Sequence, residues 1–295
     1  MRNGYGSAVL ALIGGVIALG MAQPAFAQAN APKDFSGKRS DAAGNQIVSL
    51  AASKAAPANF CSTDGVWCVA DETPADDASA APRLRVEQRK DGKKLTASLP
   101  FDDPAMPDME IVETGTKPVV WPYMVKLSAA AGGGVIVGVK RIYSQMYSGG
   151  GANSSALQWF RVTASGSGLT VKPVAKFSTG GDALIRACFS EKDMKKRLGV
   201  CHDEYSQDIT LELAAQPQNG MPAFIYKSVA TAYPGSSRRD KDNSAQQLKK
   251  SDIPVRTDPR CTFTRTIRYK AESGSYWFNA ALPDCKGYGA DWTLY

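Results

Sequence analysis

Histidine is nearly absent from this sequence: His202 is the only one in 295 residues. A Ser-His-Asp triad would have to be built on that one imidazole, and no Gly-x-Ser-x-Gly nucleophile elbow occurs in the chain. Cys-x-x-Cys spacing is missing too, and a single histidine does not complete the usual zinc sets. Glycines 132–134 and 149–151 form two triple runs, but neither is followed by Gly-Lys-Ser/Thr, so they read as turns and not as phosphate cradles. No cofactor and no metal are expected. Nor is nucleic acid an expected partner, because basicity comes without a recognisable binding module.

Long apolar runs are confined to the N-terminus. Residues 1–27 read as a secretory signal peptide, with Arg2 as the charged region, residues 8–22 as the apolar core and Pro24-Ala25-Phe26-Ala27 as the cleavage pattern. No later run approaches the ~20 residues of a membrane helix, so no transmembrane segment is expected after signal removal. The expected location is outside the cytoplasm, in the periplasm or extracellular. Six cysteines suit an oxidising compartment, and their grouping favours nearest neighbours: Cys61 with Cys68, Cys188 with Cys201, Cys261 with Cys285. For the first pair, Asp64-Gly65 makes a two-residue hairpin turn that places Cys61 opposite Cys68.

Convincing helix patterns are scarce, and short alternating runs take their place. They include Leu84 and Val86, residues 95–99 after an Asp91-Gly92 turn, 119–127, 135–147, 157–162, 169–177, 209–213, 224–232, 261–270 and 276–282. Pro173 marks an edge. The pattern predicts an all-β, antiparallel, sandwich-like fold, as one large or two smaller packed units, with one short disulfide-clamped helix. Residues 28–58 read as a flexible Ala/Ser-rich lead-in with room for one strand. Residues 59–295 are the β-rich region, with a candidate boundary at glycine-rich 178–182. A long polar loop at 234–260 reads as mobile.

Rare residues converge on one stretch, 186–205. Ser190 can cap a short helix with Asp193 at its third position, Phe189 and Met194 have the spacing of a hydrophobic staple, and Gly199 supplies a left-handed stop. A Cys188–Cys201 bridge would contribute roughly 3 kcal/mol on a chain-entropy estimate. The stretch is first of all a staple between strands. Its second reading is a presented knob, whose candidate interaction surface is Lys192, Lys195, Lys196, Arg197 and His202. Charge supports an anionic partner: residues 121–270 carry a net +11, against −3 for 28–120.

Carboxylates Asp102, Asp103, Asp108 and Glu110 cluster in a Pro-rich loop, and Asp203-Glu204 adjoins the knob. Glycan hydrolysis needs two such groups ~5–9 Å apart, which chain spacing does not define. Trp121, Tyr123, Tyr143, Tyr147, Trp159, Tyr276, Trp277, Tyr288 and Trp292 could stack on sugars or anchor a partner, although most are expected in the core. Ser273-Gly274-Ser275-Tyr276 resembles the Ser-Gly-x-x-Tyr loop of periplasmic lysozyme inhibitors, small all-β exported proteins, but is one residue short and spans four positions. Asp291-Trp292-Thr293-Leu294-Tyr295 resembles the aromatic-ended last strand of outer-membrane barrels; the cysteines and the positive, glycine-broken middle argue against a barrel. Neither likeness assigns a family. The leading expectation is a non-catalytic binding protein of the cell envelope, recognising a protein or an anionic envelope component. The alternatives are a carboxylate-based hydrolase of envelope glycans and a purely structural envelope protein.

Overall fold

The computed structural model describes residues 37–53, 59–72, 83–100, 118–285 and 288. The expected signal peptide, the Asp102–Glu110 acidic group and the 291–295 segment lie outside the described residues.

Alternation builds one antiparallel sheet. β1 (Gln46–Ala52), the strand for which the lead-in had room, is followed by β2 (Asn59–Ser62), β3 (Trp67–Asp71), β4 (Arg83–Lys90) and β5 (Lys93–Pro100). Two short strands come next, β6 (Val119–Val120) and β7 (Tyr123–Lys126). Three long ones form the spine: β8 (Val135–Tyr147), β9 (Gly150–Ser165) and β10 (Gly168–Arg186). The helix α1 (Glu191–Lys196) leads into β11 (His202–Leu213) and β12 (Phe224–Tyr233). β13 (Arg256–Thr257), β14 (Phe263–Lys270) and β15 (Ser275–Phe278) complete the set.

The 15 strands run in the order β15-β14-β12-β11-β10-β9-β8-β7-β1-β2-β3-β4-β5, with β13 on β12 and β6 on β8. Both ends of this path fold back, because β5 and β15 each pack against β10. The sheet therefore encloses two large cores, beside a smaller cluster around Tyr205, Ala230, Cys261 and Tyr288. One is mainly aliphatic and includes Val69, Val86 and Val137 around Phe160. The other is aromatic and centres on Trp159, whose ring lies 4.5–5.8 Å from Trp121, Phe177, Phe224 and Tyr276. The two edge-to-face pairs among them, with Phe177 and Tyr276, add about 0.5–1.5 kcal/mol each beyond their burial. Gly138, opposite Trp159, makes the packing possible: a Cβ there would lie 3.1 Å from the Trp121 Cβ.

Turn chemistry fixes the local registers. Asp91 and Gly92 both take positive φ between β4 and β5, as a type I′ hairpin demands. Cys61 faces Cys68 in register, and the three disulfides pair the cysteines as their grouping suggested. The glycine-rich 178–182 segment lies inside β10, which runs through it. Its register shifts between Ser178 and Gly180, and a Cβ on Gly180 would meet the Gln207 carbonyl oxygen at 2.4 Å, so these glycines shape a β-bulge. Pro173 sits where β10 pairs only with β9, so its missing N–H breaks no bond to β11.

Residues 234–260, read as a long polar loop, carry two tertiary anchors. The Leu248 amide donates to the Lys196 carbonyl at 3.0 Å, and β13 pairs with β12. Composition made this segment look like loose loop, whereas its anchors are tertiary.

Candidate functional site

The stretch between Cys188 and Cys201 folds as its capping residues dictate. Ser190 Oγ accepts the Asp193 amide at 3.2 Å, and the Asp193 carboxylate accepts the Phe189 amide at 3.1 Å and the Ser190 hydroxyl at 2.9 Å. Those donors lower the Asp193 pKa, the Ser190 bond first. The disulfide closes the loop, and Ala187 N–H to Cys201 C=O continues the β10–β11 ladder beneath it.

The helix stop differs from expectation in an informative way. Leu198 takes the left-handed conformation at φ 53°, and Gly199 follows at φ 84°. The Gly199 amide bonds the Met194 carbonyl and the Leu198 amide the Lys195 carbonyl, which is the Schellman pattern with leucine in the position glycine normally fills. A branched side chain there is strained, and Leu198 is also 49% exposed. Phe189 does not close a staple on Met194. It is 65% exposed, with the Arg186 guanidinium over its ring at 5.2 Å. Met194 is 49% exposed on the same short helix. The adjoining β8–β9 turn, whose Gly149 abuts the Arg186 stem, carried no sequence signal as a neighbour of this stretch.

The five residues singled out by sequence separate into two sets. Lys192, Lys195 and His202 are exposed, and Lys196 is partly so. Arg197 is the exception: it is fully buried and adds no surface charge. Its Nε donates to the Val200 carbonyl at 2.9 Å, its Nη1 to the Asn243 carbonyl at 2.6 Å, and its Nη2 forms an ion pair with Asp203. Burial raises the Asp203 carboxyl pKa against the opposing pull of Arg197. Asn243 also donates to Tyr205 Oη at 3.1 Å, so Arg197 locks α1, β11 and the 234–260 segment together. The knob is thus held by a covalent clamp on one side and a buried ion pair on the other. What remains outward is Phe189, Met194 and Leu198 beside Lys192, Lys195 and Arg186.

The other candidate groups are dispersed. Trp121, Tyr123, Trp159 and Tyr276 are core residues, and Tyr288 packs on Tyr205. Trp277 donates its indole N–H to Ser273 and Ser275 under the Lys270 ammonium, within the β14–β15 turn that carries the Ser273–Tyr276 tetrapeptide. Of the acids beside the knob, Asp203 is neutralised by Arg197 and Glu204 is exposed. Among the described residues no three His, Cys, Asp or Glu side chains gather as a metal set, and no helix is long and apolar enough to cross a membrane. Comparison of the chain with protein-family models, with curated proteins and with solved structures finds no match in any of the three.

Proposed function

We propose that this is an exported, non-catalytic binding protein whose clamped knob docks on an anionic lipid surface of the cell envelope. Export is supported by the signal-like N-terminus and by three disulfides. The observation that carries the binding reading is Leu198. A half-exposed leucine in a left-handed position where glycine would relieve strain is a local loss of stability with no packing return. Beside it, Phe189 and Met194 are exposed too, and Lys192 and Lys195 flank them. Apolar tips that enter the headgroup boundary, ringed by lysines that meet anionic lipid, are the two terms of interfacial binding. The net +11 of residues 121–270 adds long-range attraction. Clamping removes the ordering cost before contact.

The test is co-sedimentation with vesicles of phosphatidylglycerol in phosphatidylcholine. The reading predicts binding that disappears on pure phosphatidylcholine and weakens in high salt. It also predicts that Leu198→Gly raises the thermal midpoint while weakening vesicle binding. Binding unaffected by lipid charge, or undiminished in a stabilised Leu198→Gly protein, would refute it.

A further inference from the structure

Four side chains at the edge of the aromatic core, Trp159, Arg161, Tyr269 and Tyr276, bring together three donors that have no acceptor among the described residues. Trp159 and Arg161 are two residues apart on β9 and so project from the same face. Tyr269 and Tyr276 are a cross-strand pair of β14 and β15. The two pairs meet: Trp159 and Tyr276 ring centroids are 5.7 Å apart, and the Arg161 guanidinium carbon lies 5.7 Å from the Tyr269 ring centre. Trp159 Nε1, Tyr276 Oη and Arg161 Nε are all buried, and none has a hydrogen-bond partner among the described residues. Three orphaned donors in one cluster are exceptional, since a buried donor without an acceptor costs more than a made bond returns.

Charge points the same way. The guanidinium of Arg161 is half-buried, with its other nitrogens spent on the Ala131 carbonyl at 2.7 Å and on Tyr269 Oη at 3.4 Å. No carboxylate pairs with it among the described residues. Lys172 sits directly across from it on β10 and adds positive field. The acid that acts on Tyr276, Asp41, is already occupied by the amides of Ala43 and Asn45 and by the Asn45 side chain. Burial raises the Tyr276 pKa well above its ordinary value, so its hydroxyl stays a donor.

We propose that Trp159, Arg161, Tyr269 and Tyr276 bind the carboxylate of a small organic anion. The carboxylate accepts from Trp159 Nε1, Tyr276 Oη and Arg161 Nε, and the body of the molecule extends outward past Arg161 and Tyr269. Trp159 and Tyr276 have almost no exposed surface and form the inner side; Arg161 and Tyr269 are partly exposed and form the side of entry. This site is built from residues other than the knob, so it stands or falls independently of the lipid reading.

The experiment is a titration of the isotope-labelled protein with benzoate, with benzyl alcohol as the neutral counterpart, following the Trp159 indole N–H resonance. Benzoate is expected to move that resonance saturably downfield and to raise the thermal midpoint, and benzyl alcohol to do neither. Arg161→Met and Tyr276→Phe should each weaken benzoate at least tenfold; Tyr276→Phe keeps the ring, so it retains the packing. No saturable shift with benzoate, equal effects of the two compounds, or unchanged affinity in both variants would overturn the assignment. A buried water answering the three donors, seen as a water contact to the Trp159 N–H that benzoate leaves in place, would overturn it as well.

Discussion

Replacing Arg197 by alanine should damage the fold far more than removing any other lysine or arginine of the knob. The side chain is fully buried and serves three acceptors: the Asp203 carboxylate and the Val200 and Asn243 carbonyls. Deleting one partner of a buried ion pair leaves an uncompensated charge, which costs about 3–5 kcal/mol. The orphaned carbonyls add to that, and protonation of Asp203, whose pKa burial already raises, subtracts from it. A net loss of about 3–5 kcal/mol corresponds to a fall in thermal midpoint of about 6–20 °C for a unit of this size. Urea and thermal unfolding followed by circular dichroism would read it. Arg197→Met with Asp203→Leu should recover much of the loss, because an apolar pair carries no desolvation penalty. A single-variant loss below about 1 kcal/mol, or a double variant no better than the single, would refute the anchoring role.

Asp64 offers a titration. Burial pushes its carboxyl upward, but the hydrogen bonds from Lys126, Ser62 Oγ and the Val66 amide outweigh it and bring the pKa from 3.8 to about 2. Its contribution to stability is therefore complete above pH 3.8 and lost as pH falls through about 2. Carbon-detected carboxyl NMR should find that low midpoint, and Lys126→Met should move it back upward; an ordinary midpoint in the wild type would contradict the turn geometry. Lys140 gives the opposite kind of prediction. It is buried on β8 without an acidic partner among the described residues, and burial lowers its pKa. Lys140→Met should raise stability by at least about 1 kcal/mol in urea unfolding, and a loss would show that the ammonium is satisfied in solution.

How much of this was legible in the sequence follows from distance along the chain. The Cys61–Cys68 register and the Asp91-Gly92 turn were readable because the deciding residues are adjacent. The Ser190 and Asp193 cap was readable for the same reason. Arg197 was not: its charge suggested a surface, and Asn243, 46 residues away, takes it inside. Residues 234–260 read as a long polar loop from their composition, while their anchors to α1 and β12 are long-range backbone bonds. The glycines at 180 and 181 read as a boundary, since a bulge within a 19-residue strand has the same composition as a linker. The donors around Trp159 left no trace in spacing, because Tyr276 and Tyr269 meet Trp159 and Arg161 from more than 100 residues away along the chain.

The most direct test of the lipid-docking account is the affinity of Lys192→Glu/Lys195→Glu protein for phosphatidylglycerol vesicles. Both lysines are exposed and no side-chain bond of theirs holds the fold among the described residues, so the thermal midpoint should stay within about 4 °C of wild type, as for two surface changes of up to about 0.5 kcal/mol each. Each basic side chain near an anionic bilayer contributes about 1 kcal/mol, so losing two should weaken binding at least about 30-fold, with repulsion adding more. Wild-type affinity in a fully folded double variant would contradict the account.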